Sequence, residues 1–377
     1  MLGMTKSYDI CIQGQGIVGQ TLALLFAKEN LTVALVQTKA VSHAQSAHDV
    51  RAYALNSRSK ELLNSLRCWP EDVKATEVLA MHIKDASGEE VNFSAASQGV
   101  PALTWVVDVP TIEENLSSAL KFQPLVDLLN EIPVAKLSVI CEGRMSQTRE
   151  KFGVEFKTQS YSQHAIAVRL QCEQFHKQAA RQWFSPGHIL AFLPIAGSSG
   201  QEVAVVWSVP ADKVENYLSL SDSQFCTELE NSSGNQLGCL RLASRRASWP
   251  LQWAKADRWA GTSAGQAWVL AGDAAHSIHP LAGQGLNLGL ADATALAEVI
   301  AQRSSWRDVN DRRLLRQYER SRKLATLAVG GTCDVLQQLF DMQSSLGSVV
   351  RQLGIKGFEH SGLLKEWTAR QAMRFEK

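Results

Sequence analysis

Two glycine-rich turns carry the residues of this sequence that are best suited to chemistry. The first, Gly14–Gly19, reads GQGIVG and has its glycines at the spacing of a dinucleotide-binding turn. In such a turn the first glycine permits a tight bend, the second lets the backbone approach a pyrophosphate, and the third allows a helix to pack closely on a strand. The N-terminus of the following helix favours the anion. We therefore predict that Gly14, Gly16 and Gly19 hold a dinucleotide.

The second turn lies in Gly272–Asp292, which reads GDAAHSIHPLAGQGLNLGLAD. A carboxylate at the end of a strand, here Asp273, can bind the hydroxyls of a ribityl chain. The turn Gly283-Gln284-Gly285 then supplies backbone N–H groups at the start of a predicted helix. Those donors and the helix dipole favour negative charge on a reduced flavin ring.

Two polar residues follow the first turn. The dinucleotide fingerprint places an acidic residue about 20 residues on, where it binds ribose hydroxyls, and this sequence has Gln37 there. An amide can bond a hydroxyl without the strength of a charged partner, or Gln37 simply faces solvent. Arg51 can neutralise a pyrophosphate with its planar, paired donors, or it is a surface arginine.

The elements that position these residues are predicted from periodicity. An N-terminal β-α-β unit leads into the first turn, and a strand followed by a long helix carries the second. β-rich segments lie between the two, and helical patterns return from Arg312 onward. The predicted elements are strands Tyr8–Gln13, Thr32–Gln37, Ala165–Leu170, Ile189–Leu193, Glu202–Ser208 and Gln266–Ala271, and helices over residues 16–29 (with Asn30 as C-cap) and 285–302.

This order predicts an α/β fold with α+β elements: a Rossmann-like FAD-binding domain interleaved with a β-sheet substrate domain, and a helical C-terminus. The expected boundaries are 1–75, 104–160 and 262–330 for the first domain, 76–103 and 161–261 for the second, and 331–377 for the C-terminal region.

Composition excludes several classes of function. The net charge of +1 argues against a nucleic-acid partner. The seven cysteines are scattered and never spaced C-x-x-C, which argues against a disulfide framework or a metal site and fits a reducing cytoplasm. The sequence has no apolar stretch of the roughly 18 residues that a spanning helix requires. We expect a cytoplasmic protein without a metal.

The run G-D-A-A-H followed by H-P-L-A-G-Q-G-x-N-x-G-x-x-D resembles the signature of the FAD-dependent ubiquinone-biosynthesis hydroxylases, which belong to the para-hydroxybenzoate-hydroxylase-like flavin monooxygenases. The resemblance covers residues 8–373. Further matches are the Arg51 segment, Phe175-His176-x-x-Ala179-Ala180, Leu193-Pro194, Val206-Trp207-Ser208 and Gln317-Tyr318-Glu319-x-x-Arg322-Lys323.

The resemblance implies that the first turn and Arg51 hold the FAD pyrophosphate, that Asp273 binds the ribityl chain, and that residues 280–287 line the isoalloxazine ring. No catalytic acid or base is assigned, because neither His276 nor His279 has an identifiable partner carboxylate. The expected cofactor-binding residues are Gly14, Gly16, Gly19, Gln37, Arg51, Asp273, Pro280, Gly283, Gly285, Leu286 and Asn287.

The resemblance also implies a reaction. NAD(P)H, docking transiently, reduces FAD, and dioxygen then gives a flavin hydroperoxide that hydroxylates a small aromatic ring, expected to be a lipid-linked (polyprenylated) phenol. The basic stretch Arg303–Lys323 is either a solvated helix or a contact for the inner membrane or a quinone-biosynthesis complex.

The sequence departs from the family pattern at four places in the cofactor-binding half. Gln37 replaces a carboxylate, Pro110 stands where V-V-x-x-R-x-L has arginine, Glu142 replaces the aspartate of G-A-D-G, and residues 116–142 are short by about two strands. These departures keep two other hypotheses open. One is a diverged, weakly FAD-binding and non-catalytic member that acts in assembly. The other is a flavin oxidoreductase with a different substrate class.

Overall fold

The computed structural model describes residues 6–37, 49–195, 200–277 and 285–341, with side chains described up to residue 327. Pro280, Gly283 and His279 lie outside the described residues, as do residues 342–377 of the expected C-terminal region.

Eighteen strands and nine α-helices form within the described residues. The strands are β1 (Tyr8–Gln13), β2 (Val33–Val36), β3 (Ala52–Leu55), β4 (Ala75–Val78), β5 (Ala80–Lys84), β6 (Glu90–Ser94), β7 (Thr104–Asp108), β8 (Val126–Leu129), β9 (Ala135–Ile140), β10 (Phe156–Cys172), β11 (Ala179–Ser185), β12 (His188–Pro194), β13 (Glu202–Pro210), β14 (Leu240–Leu242), β15 (Ala247–Ala256), β16 (Ala260–Ser263), β17 (Gln266–Leu270) and β18 (His276–Ser277). The helices are α1 (Ile17–Lys28), α2 (Ser57–Ser65), α3 (Ala95–Gln98), α4 (Val109–Leu120), α5 (Gln147–Lys151), α6 (Val214–Ser219), α7 (Asp222–Ser232), α8 (Gly285–Ala301) and α9 (Arg312–Asp341).

A six-stranded sheet forms the first half of the molecule, which contains the predicted dinucleotide-binding turn, in the order β16-β17-β9-β1-β2-β8. Strand β1 pairs in parallel with both β2 and β9, and β17 pairs in parallel with β9. The strands β1, β2 and β17 and the helices α1 and α8 confirm the predicted elements to within a residue or two at their ends. The predicted C-cap is off by one, because Glu29 caps α1 and Asn30 follows it in the left-handed conformation (φ 59°).

A nine-stranded, mostly antiparallel sheet forms the second half, in the order β18-β15-β10-β13-β12-β11-β5-β6, with β14 also paired to β10. Large side chains on one of its faces, among them Trp207 and Phe192, form a core together with Val214 of α6 and Phe225 of α7. A three-stranded sheet, β3-β7-β4, lies beside the cofactor-binding sheet. The interleaved α/β architecture is confirmed. None of the described helices is long and apolar enough to cross a membrane.

Glycines set the distances between the elements around β1. Gly14 has φ +115°, and a Cβ there would overlap the backbone of Cys141 after β9. A Cβ on Gly19 would overlap the carbonyl oxygen of Gly14, so α1 rests directly on the turn. A Cβ on Gly289 of α8 would lie 2.7 Å from Val18 of α1. Backbone thus packs on backbone where β1, α1, β9 and α8 meet.

Two of the departures are accommodated without strain. Pro110 lies in the first turn of α4, where a backbone N–H has no intrahelical partner and its loss costs little. The short segment before residue 142 leads from β8, parallel to β2, directly to β9 beside β1. The sheet therefore closes without the missing strands.

Candidate nucleotide-binding site

The first wall of the site is the N-terminus of α1. Gly16 is its N-cap residue, with extended backbone (φ −71°, ψ 177°), and no side chain caps the helix. A Cβ on Gly16 would meet no atom within 4 Å. No side chain therefore caps the first N–H groups of the helix. A pyrophosphate could approach these N–H groups closely and accept hydrogen bonds from them.

The second wall is the turn after β9. Here Glu142 accepts hydrogen bonds from the Ser146 hydroxyl (2.6 Å) and from the Thr148 N–H (3.0 Å) and hydroxyl (2.8 Å). The carboxylate is thus occupied in holding the start of α5, and its extra methylene spans that distance. Glu142 therefore preserves the turn, although it departs from the family's aspartate.

Arg149 joins the second wall to the third. Its side chain is 3 % exposed and donates to the carbonyl oxygens of Ala274 (3.1 Å) and Arg144 (2.9 Å). The guanidinium also lies 3.5 Å from the centre of the Phe156 ring. Because the buried guanidinium binds carbonyl oxygens in both the turn after β9 and the turn after β17, and also packs on an aromatic ring, Arg149 fixes these two turns relative to each other.

The third wall is the short 3-10 turn Gly272–Ala274 between β17 and β18, and it carries Asp273. The side chain of Asp273 is reached by solvent and yet surrounded by protein atoms, as at the floor of a cleft. This desolvation raises the pKa of the carboxyl, although the nearby Arg144 and Arg51 act in the opposite direction. Perturbed carboxyls in clefts are common at functional sites.

The structure brings Arg51 to the same cleft, just before β3. Its guanidinium forms a paired contact with Asp49, with Nε at 2.9 Å and Nη2 at 2.6 Å from the carboxylate oxygens. The side chain remains 37 % exposed. Gln37 follows β2, and its backbone N–H donates to Leu129 of β8 at 2.9 Å. Its side chain is exposed, so both readings of Gln37 stay open.

The residues at the start of α8 differ in what they contact. A Cβ on Gly285 would meet no atom within 4 Å. Leu286 is 8 % exposed and packs in the hydrophobic core.

Asn287 is 4 % exposed and binds protein groups. It donates to Ala54 O (2.8 Å) and accepts from Asn56 N (3.0 Å) and Ser59 Oγ (2.7 Å). The described contacts of Asn287 therefore bracket α8 to β3 and α2.

The partner carboxylate of His276 is Asp292, which corrects the expectation that none exists. His276 Nε2 lies 2.6 Å from Asp292 Oδ2, and Arg322 Nε of α9 lies 2.6 Å from Oδ1. The N–H of Gly272 also donates to Oδ2 at 2.9 Å. All three side chains of this buried cluster are at most 5 % exposed. Burial alone would raise the pKa of Asp292, but His276 and Arg322 hold it below its usual value.

The structure therefore places Gly14, Gly16, Gly19 and Asp273 at the carboxyl ends of β1 and β17, which both pair with β9, and it places Arg51 near Asp273. Sequence reasoning missed the supports behind it, namely Arg149, Asp292 and Arg322. One signal was present: Asp292 falls on the apolar side of the predicted α8 pattern, between Leu288 and Leu296, where an ionised group needs a partner.

Comparison with known proteins places this geometry in context. A family model described as "FAD binding domain" matches residues 132–330. A relative named ubiquinone hydroxylase UbiL, from Rhodospirillum rubrum, is 30 % identical over 98 % of this chain and 90 % of its own length. A 3-demethoxyubiquinol 3-hydroxylase from Escherichia coli is 27 % identical over 97 % of both chains.

A solved structure has the same fold. The P. aeruginosa protein PqsL, in complex with 2-aminobenzoylacetate, superposes with a TM-score of 0.76 over 92 % of this chain and 100 % of its own. The identity is 16 %, so this likeness concerns the fold.

Neutralising Asp273 and neutralising Asp292 should have opposite effects on the stability of the apoprotein. Because the pKa of Asp273 is raised on folding, its charge costs stability as pH rises from about 3.9 through the folded value. Asp273→Asn should raise the melting temperature at pH 7. The pKa of Asp292 is lowered, so its contribution is present above pH about 3.9 and is lost as pH falls through the folded value. Asp292→Asn should lower the melting temperature at pH 7.

Melting curves of the two variants at pH 7 and near pH 3.5 test this prediction. In acid, the melting temperatures of both variants should come closer to that of the parent protein. Two variants that shift in the same direction at pH 7 would contradict the assigned environments.

Proposed function

This chain belongs to the FAD-dependent ubiquinone-biosynthesis hydroxylases, and from that premise we propose that it hydroxylates the ring of a polyprenylated phenol, using dioxygen and transient reduction by NAD(P)H. It is an FAD-dependent monooxygenase. The observation that carries the proposal is the cleft in which an uncapped helix N-terminus and a strand-end carboxylate, Asp273, come together.

We assign the cofactor contacts as follows. The N-terminus of α1, approached over Gly16, holds the pyrophosphate, and the exposed side of Arg51 adds a cation that Asp49 holds in place. Asp273 binds the ribityl hydroxyls. The start of α8 at Gly285 faces the ring system, with Pro280 and Gly283 as proposed neighbours. The proposed domains keep the boundaries expected above, since most strands of the nine-stranded sheet fall within 76–103 and 161–261.

FAD supplies the oxygen chemistry when bound, and the protein positions the ring and excludes water. This division of labour requires no triad or metal. It also fits the described chemistry of the site, in which Glu142, Arg149 and Asp292 each bind protein groups, with Arg149 Nε the one buried atom of the three side chains that lacks a described partner.

The inner face of the nine-stranded sheet supports an aromatic substrate. Alternation along β10, β12 and β13 sends the large residues to the α6–α7 side and leaves small or aliphatic ones on the other. The registers align Ala167 with Val206 and Val206 with Ala191. Val206 and Ala191 are only half-buried. This face is lined mainly by small and aliphatic side chains, apart from Arg169, and such a lining suits a phenol ring and its prenyl chain.

This face of the nine-stranded sheet is turned toward the half of the molecule that contains the six-stranded sheet. Arg169 of β10 forms a two-point ion pair with Asp108, the N-cap residue of α4, at 2.8 and 3.0 Å. Its Nη2 also lies 3.4 Å from the carbonyl oxygen of Asp49, beside Arg51. The cation that the family carries at the position of Pro110 is absent, and Arg169 brings a different cation to the same helix end.

The assembly-protein alternative is not favoured. Its main support was the set of departures, and two of these, Pro110 and Glu142, leave helix start and turn intact. The uncapped α1 terminus would have no purpose in a scaffold that had lost its cofactor.

Helix α9 supports a peripheral membrane contact. Its exposed face carries Arg312, Arg313, Arg316 and Arg320, followed by Leu324 and Leu327, which are 70 % and 54 % exposed. Arg322 is instead buried against Asp292, and Lys323, which is 33 % exposed, donates to the Glu319 carboxylate and to the carbonyl oxygen of Asp257. A basic row that leads to apolar side chains suits an anionic lipid surface.

Glycine substitutions separate cofactor contact from packing. Gly16→Ala and Gly285→Val place a Cβ where no atom of the described residues lies within 4 Å, so the apoprotein melting temperature should change little while FAD affinity falls at least ten-fold. Gly19→Ala is the contrast, since its Cβ overlaps Gly14 and should cost about 1–3 kcal/mol of folding free energy. FAD titration and melting curves of the apoproteins decide. Normal FAD affinity in both Gly16→Ala and Gly285→Val would remove the ring and pyrophosphate from these positions.

Turnover tests the reaction. With NAD(P)H, isotopically labelled dioxygen and a phenol bearing a short prenyl chain, the product should gain one labelled oxygen atom per NAD(P)H consumed. Asp273→Asn serves as the control, and should lose product and bound flavin together. NAD(P)H consumption that yields hydrogen peroxide for every phenol tried would favour an oxidoreductase of another class, and protein that holds no flavin would favour the assembly role.

Membrane docking is tested by co-sedimentation with vesicles. Vesicles rich in anionic lipid should pull down the protein, and Arg316→Glu with Arg320→Glu should reduce binding several-fold as the Debye-screened attraction is reversed. Arg241→Glu with Arg245→Glu makes the same charge change on exposed residues of the other half. Equal losses from the α9 pair and from this control pair would show a general charge effect and reject α9 as the contact.

A further inference from the structure

We propose that Asp292 is the positioning residue for the cofactor turn, and that Arg322, reaching in from α9, is the counter-ion that keeps it in place. Neither side chain is assigned a contact with FAD. The inference rests on the proposed function, because the turn in question carries the proposed ribityl ligand Asp273.

One carboxylate oxygen holds both ends of the turn. Oδ2 of Asp292 accepts from the N–H of Gly272, one residue before Asp273, and contacts His276, three residues after it. Gly272 has φ +63°, which a residue with a side chain adopts at a cost. The N–H of Ala275 donates back to the Gly272 carbonyl oxygen at 2.8 Å. Fixing residues 272 and 276 from one point leaves Asp273 little freedom to move.

The other oxygen ties this turn to a distant element. Oδ1 of Asp292 accepts from Arg322 Nε at 2.6 Å, and Arg322 Nη2 reaches the Leu288 carbonyl oxygen at 3.3 Å. The His276 ring is stacked on Trp259, with centroids 4.9 Å apart and an angle of 21°. The backbone N–H of Trp259 in turn donates to the Glu319 carboxylate of α9. Helix α9 therefore supports the turn by two routes.

A buried carboxylate of this kind depends on its partners. Asp292 is 0 % exposed, and removing one partner would leave its charge uncompensated in the interior. The carboxylate would then turn or take up a proton, and Gly272 and His276 would lose their common anchor. Supporting residues of this type control ligand geometry without touching the ligand.

The experiment uses the full chain with its flavin removed. We compare FAD affinity and the visible absorption band shape of bound flavin for Arg322→Gln, Asp292→Asn and the conservative Arg322→Lys. We expect affinity to fall at least ten-fold in Arg322→Gln and Asp292→Asn, with an altered flavin band. Arg322→Lys should recover part of both, because it restores the cation but has fewer donors.

The matched control is Leu315→Ala. Leu315 is on α9, is 2 % exposed and packs in the core, so its truncation loosens the helix without changing a charge. It should lower the melting temperature while leaving FAD affinity within two-fold of the parent protein.

The outcomes are separable. An equal loss of affinity in Leu315→Ala would make Asp292 and Arg322 merely structural and overturn the inference. Parent-like affinity and band shape in folded Arg322→Lys and Arg322→Gln would also overturn it. A parent protein that binds no FAD would defeat the proposed function first, before any variant is compared.

Discussion

Contact of backbone on backbone around β1 is the constraint on which this site depends. Gly14 leaves no room for a side chain against the turn after β9, and Gly19 leaves none between α1 and Gly14. Because α1 lies so close to the sheet, its N-terminus opens directly over the carboxyl ends of the strands. Val18 then packs against Gly272 and Gly289, so the same close approach brings the second turn and α8 to that opening. Gly16 and Gly285 differ from these packing glycines, because a Cβ at either position would meet no atom of the described residues within 4 Å.

The two aspartates of the signature, Asp273 and Asp292, lie in different electrostatic environments. Asp292 is buried with cationic and N–H partners and stays ionised, as a buried charge must to be tolerated. Asp273 is open to solvent in a crowded cleft, and its environment opposes the charge. A polar group that is not stabilised by its own protein is one that a ligand can stabilise. The protein's own cations and N–H groups therefore stabilise the charge of the buried Asp292, and they leave the charge of Asp273 less stabilised.

The first glycine-rich turn and the elements that flank both turns could be predicted because their signals are local. Periodicity marks Tyr8–Gln13, α1, β17 and α8, and glycine spacing marks the bend between Tyr8–Gln13 and α1. The supports could not be predicted in the same way. Asp292 meets Arg322 thirty residues later, and Arg149 meets Ala274 across the sheet, so only tertiary packing reveals the pairs. Asn287 is predicted as a cofactor ligand, and only the structure reveals its described contacts with Ala54, Asn56 and Ser59, which connect α8 to β3 and α2.

Our central proposal is that FAD binds in the cleft over the N-terminus of α1 and Asp273. Equilibrium dialysis of the flavin-free parent protein against FAD, FMN and riboflavin tests it directly. We predict saturation at one FAD per chain, with affinity falling in the order FAD, FMN, riboflavin, because the α1 terminus binds the pyrophosphate and Asp273 the ribityl chain. Equal affinity for FAD and riboflavin, or no saturable binding of FAD, would contradict the account.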